Sequence, residues 1–377
     1  MDPIVLFDCR PEAAALEALA PLMASGQLAS GPNVAALEHA LAGYLNHPHV
    51  ACLGDATHAL ALALQLAGVG PGDDVLTLSY NCMSSNSAIA HVGARPVWVD
   101  LDEGSATMSV ADCERALTPA TKALVVYHVA GYPAPLPALR AFCDRHRIAL
   151  VEDANNALAA TLDGRRIGTT GDFAVFSFYA NRQVNGIDGA ALVCPDAATA
   201  AAARRLRRYG IDVPRFRDAH GEIDARSDIP QVGMSSPLNH VQATLALVHL
   251  RSLDARIDRN RRNVATLAAR LADVPALAPV AWAPGAAPAF WAWLVRCGER
   301  DVLLERLKAR GVQCSKLHQP NDVYSGFAGA ARALPHTARF MDEILALPCG
   351  WWLDDAALER LVAQVRAAAQ GLRGPGG

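Results

Sequence analysis

Residues 148–182, IALVEDANNALAATLDGRRIGTTGDFAVFSFYANR, contain two short apolar runs that are each followed by polar residues. The first run, IALV at 148–151, is followed by Glu152 and Asp153. The second, FAVFSF at 173–178, contains Ser177, and Arg182 follows five positions after this serine. Short apolar runs of this kind, bounded by glycine and polar residues, predict buried strands of a parallel sheet. Ligands of open α/β sheets bind at the carboxyl ends of the strands, so Asp153 is a candidate site residue. The structural alternative is an N-cap of the next helix.

The same alternation of apolar runs with Ala- and Leu-rich helical stretches extends in both directions from this segment. It is the pattern of an α/β domain with helices packed on a mainly parallel sheet. The predicted strands lie at residues 49–54, 73–79, 95–100, 122–128, 148–153, 173–178 and 189–194.

The flanking regions have a different pattern. An amphipathic stretch at 238–272 predicts one long connecting helix. Beyond it, apolar runs at 290–297 and 312–318 predict strands, and a last helix begins near Asp354. The chain therefore divides into three predicted parts, a helical N-terminal arm at 1–47, a large α/β domain at 48–250 and a small α+β domain at 251–377 that includes the connecting helix.

Composition narrows the possible functions. The 377 residues are 52% hydrophobic and 19% charged, which is enough apolar material for a sizeable core. With 34 basic and 37 acidic residues, the net charge of −3 argues against a polybasic surface for nucleic acid or membranes. The nine cysteines show no C-x-x-C pattern, so we expect neither a zinc site nor a disulfide framework. An acidic N-terminus without a long apolar run predicts a cytoplasmic protein.

A second candidate ligand element is GDATHALALAL at 54–64. Its small residues stand between a predicted strand and a predicted helix, where backbone N–H groups are free to bind a phosphate. Asp55, Ala56 and Thr57 are the residues of this turn, and they are equally compatible with an ordinary helix cap.

Three elements have now been described: the strand-end Asp153, the turn at 55–57 and the run from Ser177 to Arg182. In this order and spacing, they resemble the DegT/DnrJ/EryC1/StrS sugar aminotransferases, which are pyridoxal phosphate (PLP) proteins of fold type I. The resemblance implies the fold-type-I architecture, a seven-stranded, mainly parallel sheet with a smaller C-terminal domain. Further segments that carry the resemblance are SGPNVAALEHALAGYL (30–45), GVGPGDDVLT (68–77), GARPVWVDLDE (93–103), TPATKALVVYHVAGYPAPL (118–136), LRRYGID (206–212), LNHVQATLALVHL (238–250), GVQCSKLHQPNDVYSGF (311–327) and LPCGWWL (347–353).

The resemblance also implies roles for residues. Asp153 would bond the pyridine nitrogen of the cofactor and keep it protonated. Asn156 would pack against the ring or its hydroxyl, and Cys82 would lie over the ring. His128 would lie near the active site, although a structural core histidine is an equal alternative. The remaining implied positions are Asp55, Ala56, Thr57 and Ser177 at the phosphate, and His318, Asn321 and Asp322 near the substrate.

The resemblance fails at the residue that defines the family. Where the family has the lysine that binds PLP covalently, five positions after the serine, this chain has Arg182. A guanidinium stays protonated and forms no ordinary Schiff base. The chain has only three lysines, and Lys316 is the one expected near the mouth of the site. The candidate catalytic residues are therefore Arg182 as an anion clamp, His128 or His318 as proton carriers, and Lys316 as a spare amine.

Three functional interpretations follow. The first is an enzyme that holds PLP or pyridoxamine phosphate (PMP) non-covalently and carries out transamination or dehydration on a nucleotide-sugar-like substrate in biosynthesis. The second is a protein that has lost the cofactor and has become either a repurposed enzyme or an inactive partner of a true aminotransferase. The third, a conventional aminotransferase, conflicts with Arg182. In each case the resemblance implies a homodimer with shared active sites, a small-molecule substrate and no metal.

Overall fold

The computed structural model describes residues 3–376. Its α-helices are α1 (Ala13–Ser25), α2 (Asn33–Leu45), α3 (Ala56–Leu66), α4 (Met83–His91), α5 (Val110–Ala116), α6 (Leu136–His146), α7 (Ala197–Leu206), α8 (His240–Arg251), α9 (Leu253–Arg270), α10 (Arg300–Ala309), α11 (Pro335–Glu343) and α12 (Asp355–Ala369). Its strands are β1 (Val50–Leu53), β2 (Asp74–Leu78), β3 (Arg95–Val99), β4 (Thr121–Tyr127), β5 (Ala149–Asp153), β6 (Thr161–Leu162), β7 (Arg165–Arg166), β8 (Phe173–Ser177), β9 (Ala190–Val193), β10 (Ala278–Pro279), β11 (Ala286–Ala287), β12 (Trp293–Arg296) and β13 (Ile344–Leu347).

The large sheet has seven strands in the order β1-β9-β8-β5-β4-β2-β3. Strands β3, β2, β4, β5 and β8 pair in parallel, whereas β9 pairs antiparallel with both of its neighbours. The sheet is therefore mainly parallel. Each of its strands matches one of the seven predicted ranges, and β4 begins one residue before its predicted range, at Thr121. The predicted α/β fold class is confirmed.

Helices cover both faces of this sheet, as buried parallel strands require. Alternate residues of β5 enter different cores, because Leu150 packs with the core that contains α2 and α6, and Val151 with the core that contains α3, α4 and α7. Side chains alternate along a strand. Asp153 therefore lies on the same face as Val151, and Glu152 on the face of Leu150.

The C-terminal part differs from the prediction in two places. The predicted long helix is interrupted at Ser252, between α8 and α9. The predicted strand at 312–318 makes only isolated bridges, and Leu317 has a φ of 61°, which ends an extended backbone. The strand that pairs with β12 is β13 instead. The predicted division of the chain at residues 47 and 250 stays a prediction.

No helix within residues 3–376 combines the length and the apolar character that crossing a membrane requires.

Candidate active site

The candidate site lies at the carboxyl ends of neighbouring strands of the large sheet. Tyr127 and Asp153 are the last residues of β4 and β5 and are register partners across the two strands. Both side chains are fully enclosed. A parallel sheet places the ends of its strands at one edge, and this is where polar groups can converge on a ligand.

Asp153 is held by groups that follow β2. Ser85 donates a hydrogen bond of 2.5 Å to Oδ2 of Asp153, and Asn81 donates one of 3.4 Å to the same oxygen. The other oxygen, Oδ1, has only a long contact of 3.4 Å from the backbone N–H of Asn155. Burial raises the pKa of Asp153, and these hydrogen bonds offset only part of the effect. Oδ1 is therefore the oxygen that remains available to a ligand.

A chain of polar groups continues from this carboxylate. Asn156 donates to the hydroxyl of Tyr127 at 2.7 Å, and that hydroxyl lies 3.1 Å from Nε2 of His318. Since the tyrosine oxygen accepts from Asn156, its own proton is directed to His318. Burial and then the charge of Arg182 lower the pKa of His318 to about 3, so the imidazole is neutral at neutral pH. Oδ1 of Asn156 is buried without a partner among the described residues.

Arg182 is beside these groups. Its guanidinium carbon is 4.8 Å from the centroid of the Trp291 ring, and Nη1 donates to Oδ1 of Asn181 at 2.5 Å. Burial lowers the pKa of Arg182, and the charges of Tyr127, Cys82 and Asp153 are the next influences, in the opposite direction. The structure therefore brings Arg182 to the side of the site where Asp153 and Tyr127 lie.

The predicted phosphate end lies at the first turn of α3. Ala56 and Thr57 begin this helix, and Asp55 caps it by accepting the backbone N–H of His58 at 2.7 Å. Ser177 accepts the N–H of Tyr179 at 3.2 Å. The free N–H groups of the turn suit an anion, although a carboxylate already occupies one of them.

A second carboxylate lies near Asp55. Burial raises the pKa of Asp188, and the charge of Asp55 raises it further. Asp188 accepts the N–H of Gly189 at 2.7 Å. The phosphate end therefore already contains negative charge.

Two predicted site residues, Cys82 and Asn321, hydrogen-bond to Asn81 at the end of β2. Cys82 occupies the N-cap position of α4 without a hydrogen bond from its side chain to the helix, and its backbone N–H donates to Oδ1 of Asn81 at 2.7 Å. Asn321 donates to the carbonyls of Asn81 and Gln319 and accepts from Asn86. These bonds use most of its hydrogen-bonding capacity. These bonds connect the segment around residue 321 to the end of β2, and the predicted contact of Asn321 with substrate stays a prediction.

Asp322 differs from its neighbour, because its Oδ1 is enclosed and has no partner within residues 3–376. Its assignment to the substrate stays a prediction.

His128 has its hydrogen-bond partners outside this group, which favours the structural alternative over the predicted catalytic role. Its Nε2 lies 3.2 Å from Glu152, and its Nδ1 accepts the N–H of Ala134 at 3.0 Å. Glu152 is on the opposite face of β5 from Asp153. The pKa of Glu152 is lowered despite burial, the largest single influence, because His128 and backbone N–H groups hydrogen-bond to it. Both ring nitrogens of His128 therefore hydrogen-bond to groups in the core.

The amine of Lys316 is paired outside the site, and its catalytic role stays a prediction. Its amine forms an ion pair of 2.8 Å with Asp301 near the protein surface. Only its backbone touches the site, where its carbonyl accepts the hydroxyl of Tyr80. This pairing directs the amine to α10.

Four contacting residues were missed by the sequence reasoning, namely Asn81, Ser85, Tyr127 and Trp291. Asn81 and Ser85 had a signal, since the polar run SYNCMSSN directly follows a predicted strand. Tyr127 ends a predicted strand beside Asp153, which is a weaker signal. Trp291 had none, because an aromatic residue in an apolar run is usually part of a core.

Comparison with curated proteins gives relatives along nearly the whole chain. The erythromycin biosynthesis sensory transduction protein EryC1 of Saccharopolyspora erythraea is 35% identical over 358 residues, covering 92% of this chain and 93% of the relative. A dTDP-3-amino-3,4,6-trideoxy-alpha-D-glucose transaminase of Streptomyces venezuelae is 33% identical over 359 residues, covering 94% of this chain and 91% of the relative.

Solved structures agree with these relatives. The aminotransferase TlmJ from Streptoalloteichus hindustanus has a TM-score of 0.89 at 32% identity and covers 97% of this chain and 98% of its own. S. venezuelae DesV in complex with a ketimine intermediate has a TM-score of 0.89 at 31% identity and covers 98% and 99%. A family model described as the DegT/DnrJ/EryC1/StrS aminotransferase family matches residues 11–366. This chain therefore belongs to the DegT/DnrJ/EryC1/StrS aminotransferase family.

Proposed function

We propose that this chain is a biosynthetic enzyme that holds PLP or PMP without a covalent bond and acts on a small-molecule substrate resembling a nucleotide sugar. Its family membership and the sugar transaminases among its relatives support the substrate class. Arg182 at the position of the family lysine supports the non-covalent cofactor. Transfer of an amino group and dehydration are both compatible with this set of residues.

The observation that carries the proposal is the enclosed carboxylate of Asp153. Burying a carboxylate costs free energy unless a charged or hydrogen-bonding partner compensates it. Asp153 has one oxygen that is well held and one that has only a long contact, and the amide oxygen of Asn156 has no hydrogen-bond partner within residues 3–376. A ring with a cationic N–H and a hydroxyl group provides partners for both atoms. The ring end of the site therefore fits the cofactor.

The cofactor, when bound, supplies a ring that withdraws electrons from the substrate carbon. Asp153 would hold the proton on the ring nitrogen, and Asn156 would bond the ring hydroxyl. Ser177 and the N–H groups of Ala56 and Thr57 would bind the phosphate. Cys82, which directly precedes α4, would lie over the cofactor ring.

His318 would move the proton at the reacting carbon. It is neutral at neutral pH, and a neutral imidazole can accept a proton, whereas a guanidinium cannot. The hydroxyl of Tyr127 fixes the orientation of the His318 imidazole through a hydrogen bond to Nε2. Because the Tyr127 hydroxyl donates to Nε2, Nδ1 carries the hydrogen of the neutral imidazole, and Nε2 is the nitrogen that would accept a proton, relayed through that hydroxyl.

We further propose that the chain forms a cytoplasmic homodimer with shared sites. Exposed apolar side chains support a partner surface. Tyr179 and Ile187, which follow β8, are 52% and 57% exposed, and Val232, which precedes α8, is 85% exposed. Large exposed apolar side chains often mark an interface.

One observation favours a second candidate function. The carboxylates of Asp55 and Asp188 already lie at the phosphate end, and they would repel a phosphate dianion. This charge favours a protein that has lost the cofactor, either as a repurposed enzyme or as an inactive partner of an aminotransferase that contains the lysine.

A difference-absorbance titration with PLP and, separately, PMP distinguishes the two candidates. We expect saturable binding to the wild-type protein, loss of binding in Asp153→Ala, and no PLP fixed to the chain by borohydride. Asp172→Ala is the matched control, because Asp172 binds Arg140 and the N–H of Leu150 at the other end of β5. If neither compound binds the wild-type protein, the cofactor proposal is wrong and the second candidate replaces it.

A further inference from the structure

Arg182, whose side chain is partly exposed but whose Nε is enclosed, differs in its counter-charge from other arginines that are enclosed or nearly so. Arg256 pairs with Glu12, Arg300 with Asp301, and Arg207 with Glu38.

Within residues 3–376, no carboxylate oxygen lies within 4.0 Å of the Arg182 guanidinium. Its Nε is enclosed and has no hydrogen-bond partner in that range. A guanidinium remains charged at neutral pH even when it is buried, and an enclosed charge without a partner is costly. An anionic ligand would supply the missing counter-charge.

The surroundings of Arg182 prepare it for a planar anion. The Trp291 ring lies against the guanidinium and is itself stacked on Phe7, with ring centroids 4.2 Å apart. Nε1 of Trp291 donates to the carbonyl of Asn181 at 2.7 Å, and the amide oxygen of Asn181 accepts from Arg182. Stacking and one amide bond fix the plane of the guanidinium and leave its other N–H groups free. A fixed fork of this kind matches the two oxygens of a carboxylate.

The position of Arg182 favours the substrate over the cofactor phosphate as the source of this anion. The charges that act most on the pKa of Arg182 are those of Tyr127, Cys82 and Asp153, which belong to the ring end. At the phosphate end, Arg182 is the weakest of the influences on the pKa of Asp188. The carboxylate of Asp153 is engaged with Ser85 and is assigned to the ring nitrogen. It is therefore not free to neutralise Arg182.

We propose that Arg182 binds a carboxylate of the substrate, so that this enzyme acts on an acidic sugar or a similar polyol acid rather than on a neutral one. This inference rests on the proposed function for the location of the cofactor. Arg182 then determines specificity at the position where the family lysine would stand. A neutral sugar would leave the guanidinium desolvated and unpaired, and binding would be weaker for that reason.

The test compares D-glucuronate with D-glucuronamide, which have the same ring and differ in the charge of one group. Binding to the wild-type protein is measured by calorimetry, with and without PMP, and by the absorbance of bound PMP. We expect glucuronate to bind at least about tenfold more tightly than glucuronamide, because one charge-assisted bidentate contact is worth that much. Arg182→Gln removes this preference, and Arg182→Lys, which keeps the charge but not the fork, retains only part of it.

The exposed Arg215 provides the matched control, since Arg215→Gln removes the same charge from a side chain that is 87% exposed. We expect this variant to behave as the wild type. Thermal unfolding establishes whether the Arg182 variants are folded. If Arg182→Gln is not folded, Arg182→Lys alone is compared with the wild type. Equal binding of glucuronate and glucuronamide by the wild-type protein overturns the inference. An unchanged preference in the Arg182 variants overturns it as well.

A titration with inorganic phosphate separates the two sources of the anion. If Arg182→Gln weakens the binding of PMP and phosphate but not that of glucuronate, Arg182 serves the cofactor and the inference is wrong. The proposed function fails separately, through an absence of PMP binding to the wild-type protein. In that event calorimetry with glucuronate on the cofactor-free protein still tests Arg182.

Discussion

Replacing Asp153 by asparagine should weaken cofactor binding and, at the same time, stabilise the cofactor-free protein. The side chain keeps its shape, and its oxygen can still accept the hydrogen bond from Ser85. What is lost is the negative charge. The raised pKa shows that the folded protein disfavours this charge compared with the unfolded chain.

The loss of affinity follows from the geometry of the carboxylate. Oδ2 is already bonded by Ser85 and Asn81, so only Oδ1 is free to bond the protonated ring nitrogen. One hydrogen bond to a charged group is worth about 1.5–3 kcal/mol. Affinity for PMP should therefore fall about 10- to 150-fold in Asp153→Asn.

The change in stability has a defined pH dependence. Because the pKa of Asp153 is raised in the folded state, its ionisation reduces stability as the pH rises through the folded pKa. Below the unfolded pKa of about 4, the carboxyl is neutral in both states and the effect disappears. Asp153→Asn should therefore unfold at a higher temperature than the wild type at pH 7, and this difference should vanish towards pH 4.

The assay combines PMP titration by difference absorbance with thermal unfolding of the cofactor-free protein at several pH values. Asp172→Asn is the control, since Asp172 accepts bonds from Arg140 and Leu150 at the far end of the sheet. We expect that variant to lose stability and to keep its affinity for PMP. An Asp153→Asn protein that binds PMP as tightly as the wild type would refute the assignment of Asp153 to the ring nitrogen.

Three further outcomes test other parts of the site. Arg182→Lys restores an amine at the family position, so PLP should become fixed to the chain by borohydride and increase its mass in mass spectrometry, whereas the wild type should not react. Glu152→Gln breaks the buried pair with His128 and should cost about 3–5 kcal/mol of unfolding free energy in denaturant titrations. Because the pKa of Glu152 is lowered, this cost should be present at pH 7 and should shrink as the pH falls below about 4.5. Lys316→Ala removes an exposed ion pair with Asp301 and should cost no more than about 1 kcal/mol, with unchanged binding of PMP.

The fold and the position of Asp153 could be predicted because both depend on local patterns. Apolar runs of the right length predicted the seven strands, and the acid at the end of a central run predicted a ligand site. The side of the strand on which a residue lies was harder to predict. Glu152 and Asp153 are neighbours, yet one binds His128 in the core and the other faces the site. His128 follows the last residue of its strand, where the alternation of side chains no longer indicates a face.

The partners of the site residues could not be predicted, since they come from distant parts of the chain. Ser85 is 68 residues from Asp153, and Tyr127 is 191 residues from His318. The interruption of the helix at Ser252 and the strand β13 likewise depend on tertiary packing rather than on local propensity.

The charges of Asp153 and Arg182, unlike those at the phosphate end, argue against a simple relic of a lost cofactor site. Asp153 is enclosed and Arg182 is partly buried, the two do not form an ion pair with each other, and burial disfavours the charge of each. A protein without a ligand at this position would gain stability by replacing either residue with a neutral one. Two charges of opposite sign are instead what the cationic ring of a cofactor and an anionic substrate would neutralise. The free energy that the empty fold loses at Asp153 and Arg182 would be recovered on binding, which is the behaviour of a site prepared for its ligand rather than of an abandoned one.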